Sequence, residues 1–303
     1  MIYRISHLTE YHYSAPVTLA HHLAHLSPRS TPSQRTRRHS LRVSPQPAVL
    51  HDRVDSFGNT TAIFILQETH QYFQVEATSD VEVLTRLPLV PAQTPPWETV
   101  RESLPNDLSA EGLEIYQFLF DSMLVKCSRE LEDYARPSFP KDRPLLEGAL
   151  DLTRRIYEDF TFDPTATTVS TPLRTVLTSR RGVCQDFAHL QIGCLRSMGL
   201  AARYVSGYIE TDPPPGQEKL HGTDASHAWI SVFVPGQGWI DLDPTNNLMV
   251  SDRHITAAWG RDYGDVSPLR GVILGGGQHS LRVGVSVHPL DAMLQQQSSA
   301  QQQ

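Results

Sequence analysis

Three regimes of hydrophobic patterning follow one another along the 303 residues. Up to about residue 85, apolar residues recur at every second position: Leu41 with Val43, Ile63 with Ile65, Phe73 with Val75 and Ala77, Val81 with Val83. Period two marks strands with one buried face, and the break Asp55-Ser56-Phe57-Gly58-Asn59 supplies turn chemistry between two of them. This predicts a small antiparallel domain of sandwich type over residues 1–86. Residues 87–108 then concentrate Pro88, Pro91, Pro95, Pro96 and Pro105, which predicts a semi-rigid connector.

Helical periodicity begins at residue 109. Ser109 can cap a segment carrying Leu113, Tyr116, Phe118, Leu119 and Met123, and a second segment from about Leu145 carries Leu146, Ala149, Leu152, Ile156 and Tyr157. Thr171-Pro172-Leu173 opens a short helix that delivers the chain to Arg180-Arg181-Gly182-Val183-Cys184. From there Phe187, Ala188, Ile192, Leu195 and Met198 mark another helix, stopped by Gly199, a natural left-handed cap. The period then returns to two. Residues 202–209, 226–234 and 239–243 read as strands, with a surface loop at Asp212-Pro213-Pro214-Pro215-Gly216 and a stop at Pro244. Leu281-Arg282-Val283-Gly284-Val285-Ser286-Val287, after the flexible Gly275-Gly276-Gly277, predicts a last strand that closes the second domain. Residues 109–288 are thus expected to form an α+β core. In the final segment, 289–303, nothing from Gln295 onward can be buried, which predicts a disordered tail.

Composition narrows the class. Charged residues are 19% and hydrophobic ones 39%, as in a soluble globular protein. The net charge is -7 and the basic run is confined to Arg35-Thr36-Arg37-Arg38, so nucleic acid is not an expected partner. The first residues alternate and are polar, unlike a signal peptide, and no apolar stretch approaches spanning length, so no membrane partner and a cytoplasmic location are expected. Three cysteines, Cys127, Cys184 and Cys194, cannot all pair and lack metal-ligand spacing, which suits a reducing compartment. His22 and His25 could share a helix face beside His21, yet no carboxylate or cysteine completes a metal shell there. Without a phosphate-binding loop or metal cluster, no cofactor is expected. The pattern leaves the oligomeric state open.

The candidate chemistry gathers after residue 180. Cys184 falls at a helix N-terminus, where free N–H groups and the positive end of the helix stabilise negative charge on sulfur and an oxyanion beside it. His227 and Asp243 fall on neighbouring strands, separated by about two seven-residue strands and a turn, which brings them together. Asp241 shares the face of Asp243, so periodicity alone does not choose between them. Asp186 is expected to serve the helix dipole, and His189 to point away from the helix end. Cys194, about 1000° of helical rotation beyond Cys184, is expected in the core. Trp229 and Trp239 are expected to pack the sheet, with one of them free to line a cleft.

Four ordered stretches carry a resemblance: Gly182-Val183-Cys184-Gln185-Asp186-Phe187-Ala188; Ala202-Arg203-Tyr204-Val205-Ser206-Gly207-Tyr208; Asp224-Ala225-Ser226-His227-Ala228-Trp229; and Gly238-Trp239-Ile240-Asp241-Leu242-Asp243-Pro244-Thr245-Asn246. Together they resemble the core of the bacterial transglutaminase-like superfamily. The strand-rich start, with Asp55-Ser56-Phe57-Gly58-Asn59, is similar to the N-terminal domain that often precedes that core, and Gly260-Arg261-Asp262-Tyr263-Gly264-Asp265-Val266 resembles a segment beyond it. The resemblance implies a papain-like α+β transglutaminase core behind a small β-sandwich-like N-terminal domain. It also implies a Cys-His-Asp triad at Cys184, His227 and Asp243, with Asp243 favoured over Asp241. Animal transglutaminases place a tryptophan upstream of the cysteine near the oxyanion; the only tryptophan before Cys184 here is Trp97, in the proline-rich segment. Superfamily members include transglutaminases, peptidases, amidases and proteins without catalysis. The expectation is hydrolysis of a peptide or protein amide, because water is abundant and the chain shows no channel that excludes it. Transamidation, or a scaffold of the same fold, are the alternatives.

Overall fold

The computed structural model describes residues 1–85, 88–211 and 226–290. The loop at 212–216, residues 224–225 and the tail from 291 lie outside the described residues.

The first unit is built around β1 (Ile2–Ala24), with β2 (Gln34–Ser44), β3 (Val49–Val54), β4 (Thr60–Leu66) and β5 (His70–Val83). Along one edge of β1, β5 pairs from Ile2↔Glu82 to Val17↔His70, and β4 continues from Ala20↔Leu66 to Ala24↔Ala62. β2 and β3 lie end to end outside them in the same way. Each lane breaks at the same level, and there the sheet bends over on itself. Phe64 of β4 and Phe73 of β5 would be far apart in a straight lane, yet their rings are 6.0 Å apart. They share one buried cluster with Val17, Leu66 and Val75, which makes the unit sandwich-like.

The proline-rich stretch, expected as a semi-rigid connector, packs into the next unit. Pro91 opens a 3₁₀ turn and Pro96 is the N-cap of α1 (Trp97–Ser103), positions where a missing N–H costs nothing. Trp97 is buried edge-on to Phe139 (5.9 Å), and its Nε1 donates to the Pro140 carbonyl at 3.0 Å. There follow α2 (Ala110–Tyr116), capped by Ser109 as expected, then α3 (Arg129–Ala135), α4 (Leu145–Asp159), β6 (Thr161–Phe162), α5 (Leu173–Ser179), β7 (Arg181–Gly182) and α6 (Cys184–Ser197). A five-stranded antiparallel sheet completes the unit: β8 (Ala202–Ile209), β9 (Ser226–Val234), β10 (Gly238–Asp243), β11 (Leu248–Met249) and β12 (His254–Gly260), in the order β11-β10-β9-β8-β12. The helix α6 is the hub. Its Phe187, Leu190, Ile192 and Leu195 share a core with Leu131, Leu152 and Val176 on α3, α4 and α5, and with Tyr204, Ala228, Ile230 and Val232 on the sheet. No helix among the described residues is long and apolar enough to cross a membrane.

After the short α7 (Tyr263–Val266), the chain does not close the second domain as expected. Instead β13 (Leu269–Gly275) and β14 (His279–Pro289) return to the other edge of β1, from Ala24↔Leu269 to Tyr3↔Pro289. Alternation predicts a strand but not its sheet; the open edge of β1 is what takes it. The histidines of β1 likewise follow strand geometry, not a shared helix face. His22 lies between Phe64 and Phe73, at 5.1 and 4.4 Å, whereas His25 meets the Ser267 carbonyl at 3.1 Å and Asp55 at 3.5 Å.

The two units are fused through β8 and β12. Tyr3, Ile5, Val81 and Val287 pack on Tyr208, Ile255 and Ala257, and His7 Nδ1 is 3.1 Å from the Tyr208 hydroxyl. Along the outer edge of β12, two carboxamides act as strand residues. Gln34 exchanges hydrogen bonds with both backbone groups of Thr256 (2.8 and 2.8 Å), and Asn59 does so with Trp259 (2.9 and 3.0 Å).

Candidate active site

Cys184 is the first residue of α6, behind the N-cap Val183. Asp186 reaches back to accept the Val183 N–H at 2.9 Å, and also accepts the Thr167 hydroxyl at 2.6 Å. Burial raises its pKa against those two hydrogen bonds. A side chain at Gly182 would meet the Asp186 carboxylate at 2.8 Å, so only glycine lets the carboxylate fold back there. Asp186 therefore caps the helix that presents Cys184, in line with the sequence reading.

The β9–β10 hairpin pairs Ile230 with Leu242, which leaves His227 and Asp243 on the sheet face turned away from α6. His227 Nε2 donates to Asp243 Oδ2 at 2.7 Å. Cys184 stands close enough to the same ring to add to the rise in its pKa. The structure thus gathers Cys184, His227 and Asp243. Asp241 instead accepts from the Ser231 hydroxyl, so Asp243 is the carboxylate that meets the ring.

Asp243 is fully buried and saturated. Its Oδ1 accepts the N–H groups of Thr245 (2.9 Å) and Asn246 (3.2 Å); its Oδ2 accepts the Asn246 amide (2.7 Å) besides His227. Burial pushes its pKa up, but the bonds from His227, His254 and Asn246 prevail and hold it well below the usual carboxylate range. For His227, burial pulls down, yet the hydrogen bonds and charges of Asp243 and Cys184 raise it to about 10. An imidazolium held between sulfur and carboxylate can deliver a proton to a leaving group and recover it from water.

His254 joins the site without a signal in the local sequence. Its Nε2 stands 3.2 Å from Asp243 Oδ2, and its Nδ1 is 3.4 Å from the Ser251 hydroxyl. The fully buried Trp229 lies edge-on to His254 (5.3 Å) and 6.0 Å from His227, fixing both rings. A side chain at Gly207 would meet that indole at 2.4 Å and the Ile255 carbonyl at 2.2 Å, so the glycine makes the space for it. His227, Asp243 and His254 bring their ligand atoms within 4.8 Å of one another, the one such grouping among the described residues. Local spacing along the chain does not reveal it, because one member comes from β12.

The other candidates lie elsewhere. His189 accepts the Tyr263 N–H at 3.1 Å and packs on Tyr204, and burial lowers its pKa to about 4. Cys194 is fully buried, which pushes its thiol well above the ordinary range, and Cys127 is half-buried beside Asp121. Trp97, in the core near Phe139, is not at the site. Trp239 lines a cavity on the same sheet face.

Comparison with known proteins agrees with this architecture. Residues 3–82 match the bacterial transglutaminase-like N-terminal region and residues 132–244 match the transglutaminase-like superfamily. An uncharacterized protein of Mycobacterium tuberculosis is 43% identical over 298 residues, 95% of this chain and 93% of that one. A protein-glutamine gamma-glutamyltransferase of Pseudomonas aeruginosa is 31% identical over 120 residues, 39% of this chain and 18% of that protein. A crystal structure from Cytophaga hutchinsonii, described as a candidate cysteine protease, shares the fold with a TM-score of 0.73 at 24% identity, over 96% of this chain and 91% of that one. The chain belongs to the transglutaminase-like superfamily and carries the N-terminal region of its bacterial members.

Proposed function

We propose that this protein is a cysteine enzyme that opens a peptide or protein amide bond through a thioester and releases the acyl group to water. What supports it most is the position of His227, bound by Asp243 at 2.7 Å and close enough to Cys184 for the sulfur to add to the rise in its pKa. In this reading the Cys184 sulfur attacks the carbonyl carbon, and the oxyanion forms beside the first N–H groups of α6. The His227 proton passes to the nitrogen as the C–N bond breaks, the amine leaves, and the acyl group stays on sulfur. Water then gives a proton to neutral His227 and attacks the thioester carbonyl; the acid departs and the starting pair is restored. Asp243 orients the ring and stabilises its charge throughout.

Transamidation is the second reading, favoured by the likeness to part of the Pseudomonas aeruginosa gamma-glutamyltransferase. There an amine takes the place of water. A scaffold without turnover is disfavoured, since burying charged groups is costly and a purely structural core is served as well by apolar side chains. Intact-mass analysis of a peptide amide library, with and without a primary amine, separates the three. Hydrolysis predicts acid products whose yield changes little in millimolar amine. Dominant amine adducts would replace it with transamidation, and unchanged substrates throughout would leave the scaffold.

A further inference from the structure

Between the two units lies a cavity of about 1370 Å³, whose lining includes none of Cys184, His227 and Asp243. Its floor is a ladder of alternating cations and rings. The Arg203 guanidinium carbon is 3.7 Å from the Trp259 ring and 4.2 Å from the Trp239 ring, and the Arg29 guanidinium carbon is 3.5 Å from Trp259. Two guanidiniums cannot both sit that close to one ring on the same side, so they flank Trp259. Arg29 spends Nη1 on the Phe57 carbonyl and on Asn59.

Arg203 is different. It is 8% exposed, its Nε, like that of Arg29, has no partner, and its guanidinium makes no hydrogen bond or ion pair with any of the described residues. The aromatic rings cover the faces of its guanidinium but cannot satisfy the N–H donors at its edge. Burial lowers its pKa to about 9, with Arg29 adding repulsion; Asp241 offsets only part of this while bonded to Ser231. A buried arginine that props up no backbone carbonyl and pairs with no carboxylate is costly to the fold and poised for a ligand.

We infer that this interdomain cavity is a second binding site, in which Arg203, wedged between Trp239 and Trp259, takes a carboxylate of a peptide. A planar fork matches a carboxylate through two parallel hydrogen bonds. A phosphate fits less well, because Asp55, Glu111, Glu114 and Asp241 also line the cavity and repel a dianion. The volume exceeds the roughly 300–1,000 Å³ of ordinary small-molecule pockets, which suits a peptide segment. Arg203 pairs with Ser231, four residues and about 13 Å along β9 from His227, and none of Cys184, His227 and Asp243 lines the cavity, so the carboxylate-binding arginine lies apart from the acyl-transfer residues.

The carboxylate could be a chain terminus or an acidic side chain, and the test separates them. Calorimetric titration uses the Cys184→Ala protein, so that no turnover disturbs the readout and the result does not depend on the acyl chemistry. Three acetylated probes are compared: Ala-Gln-Ala as free acid, Ala-Glu-Ala as amide, and Ala-Gln-Ala as amide. Either carboxylate probe should bind at least about tenfold more tightly than the neutral one. Arg203→Met should abolish that difference while leaving the unfolding midpoint unchanged or higher. Arg203→Lys keeps the charge without the fork and should weaken binding; it serves also where the methionine variant fails to fold. Equal binding of all three probes, no binding at millimolar concentration, or unchanged binding in both variants would overturn the inference.

Discussion

His254 Nε2 approaches the same oxygen of Asp243, Oδ2, that His227 Nε2 reaches at 2.7 Å, standing 3.2 Å from it. One buried carboxylate thus holds two imidazoles, and only His227 also meets Cys184. A ranking of variants follows. Asp243→Asn keeps the shape but loses the charge and should cost about 10⁴ in kcat, as removal of the orienting carboxylate does in serine triads. His254→Gln loses one of several bonds to Asp243 and should cost about tenfold, with the acid limb of the pH profile displaced. Wild-type kinetics and pH profile in His254→Gln would deny it a positioning role.

Trp229 supports both rings and depends on the missing side chain of Gly207. Gly207→Ala places a methyl against backbone and indole and should lower stability by about 3 kcal/mol. Activity should fall more than stability alone explains, because His227 and His254 lose their common backing. Urea unfolding together with kcat at a temperature where the variant is folded checks both halves; a fully active variant contradicts the supporting role of Trp229.

Acid should weaken the fold before it removes the charge on most carboxylates. His7, His22 and His189 are buried, and burial lowers each to about 4 from an ordinary 6.5. Their depressed values mean that the stability they contribute is complete above about pH 6.5 and is lost as pH falls towards 4. Near pH 5 unfolding takes up close to three protons, a slope of at most about 4 kcal/mol per pH unit. The raised His227 acts oppositely: its contribution is complete below 6.5 and fades as pH rises through about 10. Urea midpoints at pH 7, 5.5 and 4.5 should fall steeply; a flat series contradicts the burial of these rings.

Much of the site is legible in the sequence because it rests on local rules. Gly182 and Gly199 bracket the helix that presents Cys184, and period two with a short turn brings His227 to Asp243. What stays hidden comes from pairing at long range. His254 opens a strand whose neighbour is β8, and no spacing rule links it to Asp243. Arg203 stands in a run that reads as a strand, but its place between Trp239 and Trp259 depends on the order in which β8, β10 and β12 join one sheet. The same limit applies to the fold. β13 and β14 show clean alternation, yet only the vacant edge of β1 tells where they go. Trp97 reads as part of a connector because prolines surround it, and those prolines turn out to start helical turns.

Activation of Cys184 by His227 can be read without a substrate, by iodoacetamide labelling at about pH 6 followed by peptide mass analysis. Cys184 should be alkylated faster than half-buried Cys127 and fully buried Cys194, and His227→Ala should slow Cys184 by about tenfold or more while leaving Cys127 unchanged. Equal labelling of Cys184 and Cys127 in the native protein, unaffected by His227→Ala, would contradict it.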